Sequence, residues 1–113
     1  MFNLNITALQ QAYKNSDITP KELIYQLRDQ ALEQQDYNAW ITLLNEIQLD
    51  EYLSYLDGKS MADLPLYGIP FAIKDNIDLA GVPTTAGCPD FTYTPKENAF
   101  VVDQLIKAGA IPL

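Results

Sequence analysis

Leu66-Tyr67-Gly68-Ile69-Pro70-Phe71-Ala72-Ile73-Lys74-Asp75-Asn76 is the stretch on which the fold turns. Leu66 to Ile73 is almost wholly apolar, and Gly68 and Pro70 make it a poor helix. It reads as a buried strand. Lys74 ends the strand and Asp75-Asn76 open a polar turn. Open α/β sheets place their chemistry at the carboxyl ends of strands, so Lys74 stands where a working amine is expected.

Working outward, the composition changes near Leu64. Five of the seven prolines (Pro65, Pro70, Pro83, Pro89, Pro95) and three of the five glycines fall between positions 65 and 95. Upstream, helical spacing prevails. Ile6, Leu9 and Tyr13 share a face, and Asn15 is placed to take a left-handed stop. Thr19-Pro20-Lys21-Glu22 reads as a capping box, with Thr19 as N-cap and Glu22 reaching back. Leu23, Ile24, Leu27 and Ala31 form the stripe that follows. Ala39 to Leu43 suggests a short strand. Leu49, Tyr52, Leu53 and Leu56 give a third helical stripe, ended by Gly58.

Downstream of Lys74, residues 78 to 97 read as loop. Val101, Val102, Leu105 and Ile106 mark a last helix, with Asn98 as its cap and Gly109 as its stop. Ala110 to Leu113 begins another apolar strand. Strand, loop, helix and strand make a βαβ unit, so the fold class is α/β. The expected division is a mainly helical part, 1–60, and a part, 61–113, holding the lysine strand, loop, helix and next strand.

The chain has 113 residues, 48% hydrophobic and 19% charged, as a folded protein does. Fifteen acidic residues oppose seven basic ones, a formal charge of -8. That balance repels phosphate backbones and anionic lipid, so neither nucleic acid nor membrane is the expected partner. Cys88 is the single cysteine, which forbids an internal disulfide and fits a reducing, cytoplasmic setting. No histidine is present, so catalysis must use lysine, carboxylate or hydroxyl groups.

Lys74 has a plain reading, a strand-end ammonium in water, and a functional one. As a base near neutrality it must lose its proton, which drying behind an apolar strand would favour. A nearby carboxylate opposes this, so the functional reading needs Asp75 turned away. Asp75 and Asn76 either orient the lysine or serve as turn residues. Thr84, Thr85 and Gly87 either reach the pocket or only shape a loop. Cys88 reads as a buried small hydrophobe.

The segment Gly68-Ile69-Pro70-Phe71-Ala72-Ile73-Lys74-Asp75-Asn76-Ile77-Asp78 resembles the lysine region of the amidase signature family. The resemblance implies the N-terminal part of that fold: helices, then the start of a central mixed sheet with flanking helices. It implies that Lys74 is catalytic, taking a proton from a serine in a cis peptide. That serine activates a second one, which attacks an amide carbonyl. Asp75, Asn76, Thr84 and Thr85 are candidate pocket residues.

In the family both serines follow the lysine. Ser16, Ser54 and Ser60 all precede it, so the chain is expected to be the first part of a larger amidase domain, inactive alone. Asn38-Ala39-Trp40-Ile41-Thr42-Leu43-Leu44 and the loop from Gly81 to Pro95 resemble the branch that hydrolyses allophanate. Another amidase signature enzyme, such as the A subunit of an aminoacyl-tRNA amidotransferase, is the alternative within the family, and a non-catalytic folding or dimerisation module is the alternative outside it. The resemblance implies no metal and no cofactor. Its expected partners are a small amide substrate, the rest of the domain and a second copy in a homodimer.

Overall fold

The computed structural model describes residues 3–113. Helices α1 (Ile6–Lys14), α2 (Pro20–Glu33) and α3 (Glu46–Ser54) come first. Strand β1 (Pro70–Phe71), helix α4 (Phe100–Lys107) and strand β2 (Ile111–Pro112) follow. The strands pair in parallel, Pro70 beside Ile111 and Phe71 beside Pro112, with α4 in the crossover between them. The βαβ reading therefore holds.

Local chemistry accounts for the helix ends. The Thr19 hydroxyl accepts from Glu22 N at 3.2 Å, and the Glu22 carboxylate accepts from Thr19 N at 2.8 Å. Pro20 occupies the first turn, as the capping box predicts. Helix α3 has an unforeseen box of the same kind, Asn45 with Gln48. At the end of α1 the left-handed residue is Ser16 (φ 61), not Asn15. Asp17 N reaches Ala12 O and Ser16 N reaches Tyr13 O, which places the reversal one residue later.

Three expectations need correction. Ala39 to Leu43 forms no strand; its β-favouring residues lack a ladder, and the residue after them ties to the last residue by Leu44 N to Leu113 O at 2.9 Å. The lysine strand covers only Pro70–Phe71, because the chain before it is wound into turns. Gly68 has φ +68, and Tyr67 N and Ile69 N bond back to Leu64 O and Leu66 O. Asn98 does not cap α4: its side chain accepts from Ala80 N at 2.8 Å, and Ala99 stands at the N-cap.

Two apolar clusters hold the elements. Ile24 of α2, Leu49 and Leu53 of α3, Val102 of α4 and Ile111 of β2 share the larger one. Leu9, Ile18, Leu23 and Ile69 make the smaller, which seats α1. Ile6 is 47% exposed, so the first turn of α1 runs past this core. The clusters fix β2 between α3 and α4 and so set where the chain after β1 emerges.

Candidate active site

Lys74 lies three residues beyond β1, on a cleft of about 460 Å³. Ala72, Ile73, Ile77 and Val82 line the cleft with apolar surface, and so do Trp40 and Ile41. The Leu44 backbone anchors the segment that carries Trp40 and Ile41: its N–H donates to Leu113 O at 2.9 Å and its carbonyl accepts from Arg28 Nε at 2.9 Å. The segment read as a strand is thus a wall of the lysine cleft.

The Lys74 side chain is exposed, not dry, since β1 ends before it and no described residue covers it. It makes no hydrogen bond or ion pair among the described residues; the ion pairs there are Lys21–Asp50, Arg28–Asp29 and Lys107–Asp103. Among the described residues, Lys74 and Asp75 are the only cleft-lining side chains of acidic or basic type.

Asp75 is half-buried and is held by the following loop. Its carboxylate accepts from Thr85 N at 3.2 Å and from the Thr85 hydroxyl. Its backbone carbonyl accepts from Ala86 N at 2.7 Å. The loop is further tied by Gly87 N, which donates to Thr85 Oγ1 at 3.1 Å, and by Cys88 N, which donates to Thr85 O at 2.8 Å. Ala86 and Gly87 both have positive φ, 51° and 72°.

A second carboxylate ties the loop through Thr84 and Tyr93. Asp78 Oδ1 accepts from the Thr84 hydroxyl at 2.9 Å and from the Tyr93 hydroxyl at 2.6 Å. Thr84 and Tyr93 also exchange backbone bonds at 2.8 and 3.1 Å. The hydrogen bond to Asp78 pushes the Tyr93 phenol above its ordinary range. Thr84 is 2% exposed, and its hydroxyl is satisfied there by Asp78.

Of the residues singled out from sequence, Lys74, Asp75 and Thr84 line the cleft, whereas Asn76, Thr85 and Gly87 do not. Thr85 turns its hydroxyl to Asp75, and Asn76 is exposed. Cys88 is exposed, not buried, because it sits at the rim of the loop before the turn Pro89–Phe91. Trp40 and Asp78 were missed. Trp40 had no signal beyond its aromatic ring, and Asp78 looked like any loop aspartate. Ser16, Ser54 and Ser60 are all absent from the cleft lining. Ser54 donates to Glu51 O at 2.7 Å and Ser60 to the Asp63 carboxylate at 3.1 Å.

An α/β unit with a lysine at the exit of its first strand, facing an apolar cleft, defines the class. The family described as Amidase matches residues 22–113. The chain belongs to the amidase family. It is 48% identical over 75 residues to urea amidolyase of Saccharomyces cerevisiae, which covers 66% of this chain and 4% of that protein. It is 33% identical over 115 residues to mandelamide hydrolase of Pseudomonas putida, covering 98% of this chain and 22% of the relative. Among solved structures, selenomethionine-substituted allophanate hydrolase of Kluyveromyces lactis superposes with a TM-score of 0.79 at 35% identity, over 98% of this chain and 18% of that one. The chain therefore spans less than a quarter of the length of these relatives, and its fold matches the N-terminal part of the amidase signature fold.

Proposed function

We propose that this chain contributes Lys74 as the general base of an amide-bond hydrolase acting on allophanate. The Lys74 amine takes a proton from a serine held in a cis peptide, and that serine activates a second, nucleophilic serine. Attack on the terminal amide carbonyl releases one ammonia and leaves an acyl-enzyme that keeps the second nitrogen; water opens it to N-carboxycarbamate, which breaks down to two molecules of carbon dioxide and the second ammonia. Backbone N–H groups stabilise the oxyanion at each addition. Both serines are supplied from outside residues 1–113, since Ser16, Ser54 and Ser60 lie away from the cleft.

The observation that carries this reading is the position of Lys74: beside a cleft, after the first strand, with its neighbouring carboxylate engaged elsewhere. The allophanate branch is preferred because identity is 48% to a urea amidolyase against 33% to mandelamide hydrolase, although over a shorter stretch. Drying of the amine falls to the residues that close the cleft in the complete enzyme. The same reading includes a cytoplasmic homodimer, which sedimentation of the full-length protein would detect.

Ammonia release by the full-length protein, measured on allophanate and on mandelamide, tests the substrate. Allophanate should be preferred by at least about 100-fold in kcat/KM. Equal turnover of the two, or preference for mandelamide, would refute the assignment. No release from any amide would favour the non-catalytic module instead.

A further inference from the structure

A carboxylate next in sequence to a catalytic lysine is a hazard, because an ion pair between them would hold the proton on the amine. In this fold Asp75 is occupied elsewhere. Its two oxygens accept from the Thr85 amide and the Thr85 hydroxyl, and its main-chain carbonyl fixes Ala86. The residues so gripped, Thr85 and Ala86, lead the loop into two consecutive positive-φ positions, Ala86 and Gly87. Alanine enters that region only when its surroundings hold it there. Gly87 N closes the arrangement by donating to the same Thr85 hydroxyl oxygen at 3.1 Å.

We propose that Asp75 is a positioning residue and Thr85 its keeper: the grip of Thr85 locks the 84–88 loop to the exit of β1 and withholds the Asp75 charge from Lys74. The inference rests on the reading of Lys74 as the base. No other titratable side chain lines the cleft among the described residues, so Asp75 is the counter-ion that must be kept away. Asp78 does not substitute for it, because its carboxylate is held by Thr84 and Tyr93 and it does not line the cleft.

The pH profile of kcat/KM for the full-length protein reads this directly, with allophanate as substrate. Thr85→Val keeps the side-chain shape but removes the hydroxyl donor, freeing Asp75 to approach Lys74. The acid limb should then move to higher pH by about one unit, with about a tenfold loss at neutrality and KM little changed. Thr85→Ser should restore the wild-type profile. Adding Asp75→Asn to Thr85→Val should return the acid limb to its wild-type pH, since the offending charge is gone, although loss of the loop lock leaves kcat/KM below the parent's; a purely structural role would not move the acid limb back in this way. An unmoved acid limb in Thr85→Val, or a uniform loss that neither rescue repairs, would overturn the proposal. Should Thr85→Val not fold, Asp75→Asn alone answers the question: an acid limb unchanged or moved to lower pH supports the proposal, and one moved to higher pH overturns it. If Lys74→Ala retains activity the base reading has failed; if Lys74→Ala is dead and the acid limb stays put, only the positioning role has failed.

Discussion

At the scale of single residues, the segment before Lys74 is shaped by Gly68. Its φ is +68°, and a Cβ placed there would lie 2.7 Å from Pro20 Cγ and 3.1 Å from the Tyr13 ring. Its carbonyl accepts from the Tyr13 hydroxyl at 2.7 Å, which ties α1 to the approach to β1. Burial and the neighbouring Tyr67 push the Tyr13 phenol well above its ordinary value, so this donor stays protonated across the physiological range. Gly68→Ala is expected to cost about 2 kcal/mol or more, from the left-handed backbone and the overlap together. Tyr13→Phe should cost about 1 kcal/mol, the net worth of one hydrogen bond. Urea unfolding of the two variants measures both; a Gly68→Ala protein as stable as the parent would mean that the turn before β1 is misdescribed. Gly68 was visible in the sequence only as a helix breaker, because a close approach by Pro20 from 48 positions away leaves no local trace.

Among the elements, helices were more legible than strands. The Thr19–Glu22 box is complete within four residues, so it could be read directly. Strand extent depends on partners distant in the chain. Leu66 to Ile73 looked like one long strand, yet only two residues pair with β2, because Leu66 N and Gly68 N bond to Ala108 O and Gly109 O at the end of α4 instead. Ala39 to Leu43 had strand composition and became a cleft wall for the same reason. The cap on α3 gives a direct check: Asn45→Ala should cost about 1 kcal/mol in thermal or urea unfolding. Acid should also loosen the helices. Hydrogen bonds from Thr19 hold the Glu22 carboxyl below its ordinary value, Lys21 and Tyr25 do so for Asp50, and Lys107 for Asp103. These groups bind protons more readily in the unfolded chain. Their contribution is present above their ordinary values, 4.5 for Glu22 and 3.8 for the aspartates, and is lost as pH falls through the lower folded values. Helical circular dichroism followed from pH 6 to pH 2 should therefore fall mainly below about pH 4, and a loss centred near pH 6 would contradict this.

Across the whole molecule, the core and the site are joined by β2. Ile111 is 1% exposed between α3 and α4, and the following Leu113 lines the cleft and receives Leu44 N. Leu49 is fully buried in the same cluster, so Leu49→Ala should cost about 3 kcal/mol through lost contacts and a cavity. Such a change should also loosen the Trp40–Ile41 wall, which intrinsic Trp40 fluorescence would register as a red shift. No helix among the described residues is long and apolar enough to cross a membrane. Ile41, Ile47 and Phe100 are 63%, 77% and 80% exposed, a large apolar display for a chain spanning less than a quarter of its relatives. Lys74, Asp75 and Thr84, which line the cleft, were legible as pocket candidates because they lie on one continuous stretch, whereas Thr85 turns to Asp75 instead. The Trp40–Ile41 wall was not legible, because its segment is tied at Leu44 to Arg28 and Leu113, which are distant in the chain.

Replacing Lys74 by alanine in the full-length protein and following ammonia release from allophanate bears most directly on the role given to that amine. Turnover should fall by about 1,000-fold or more, as loss of a general base requires, while far-UV circular dichroism stays that of the parent, because removing this side chain breaks no ion pair among the described residues. Turnover within about threefold of the parent would contradict the assignment of Lys74 as the base.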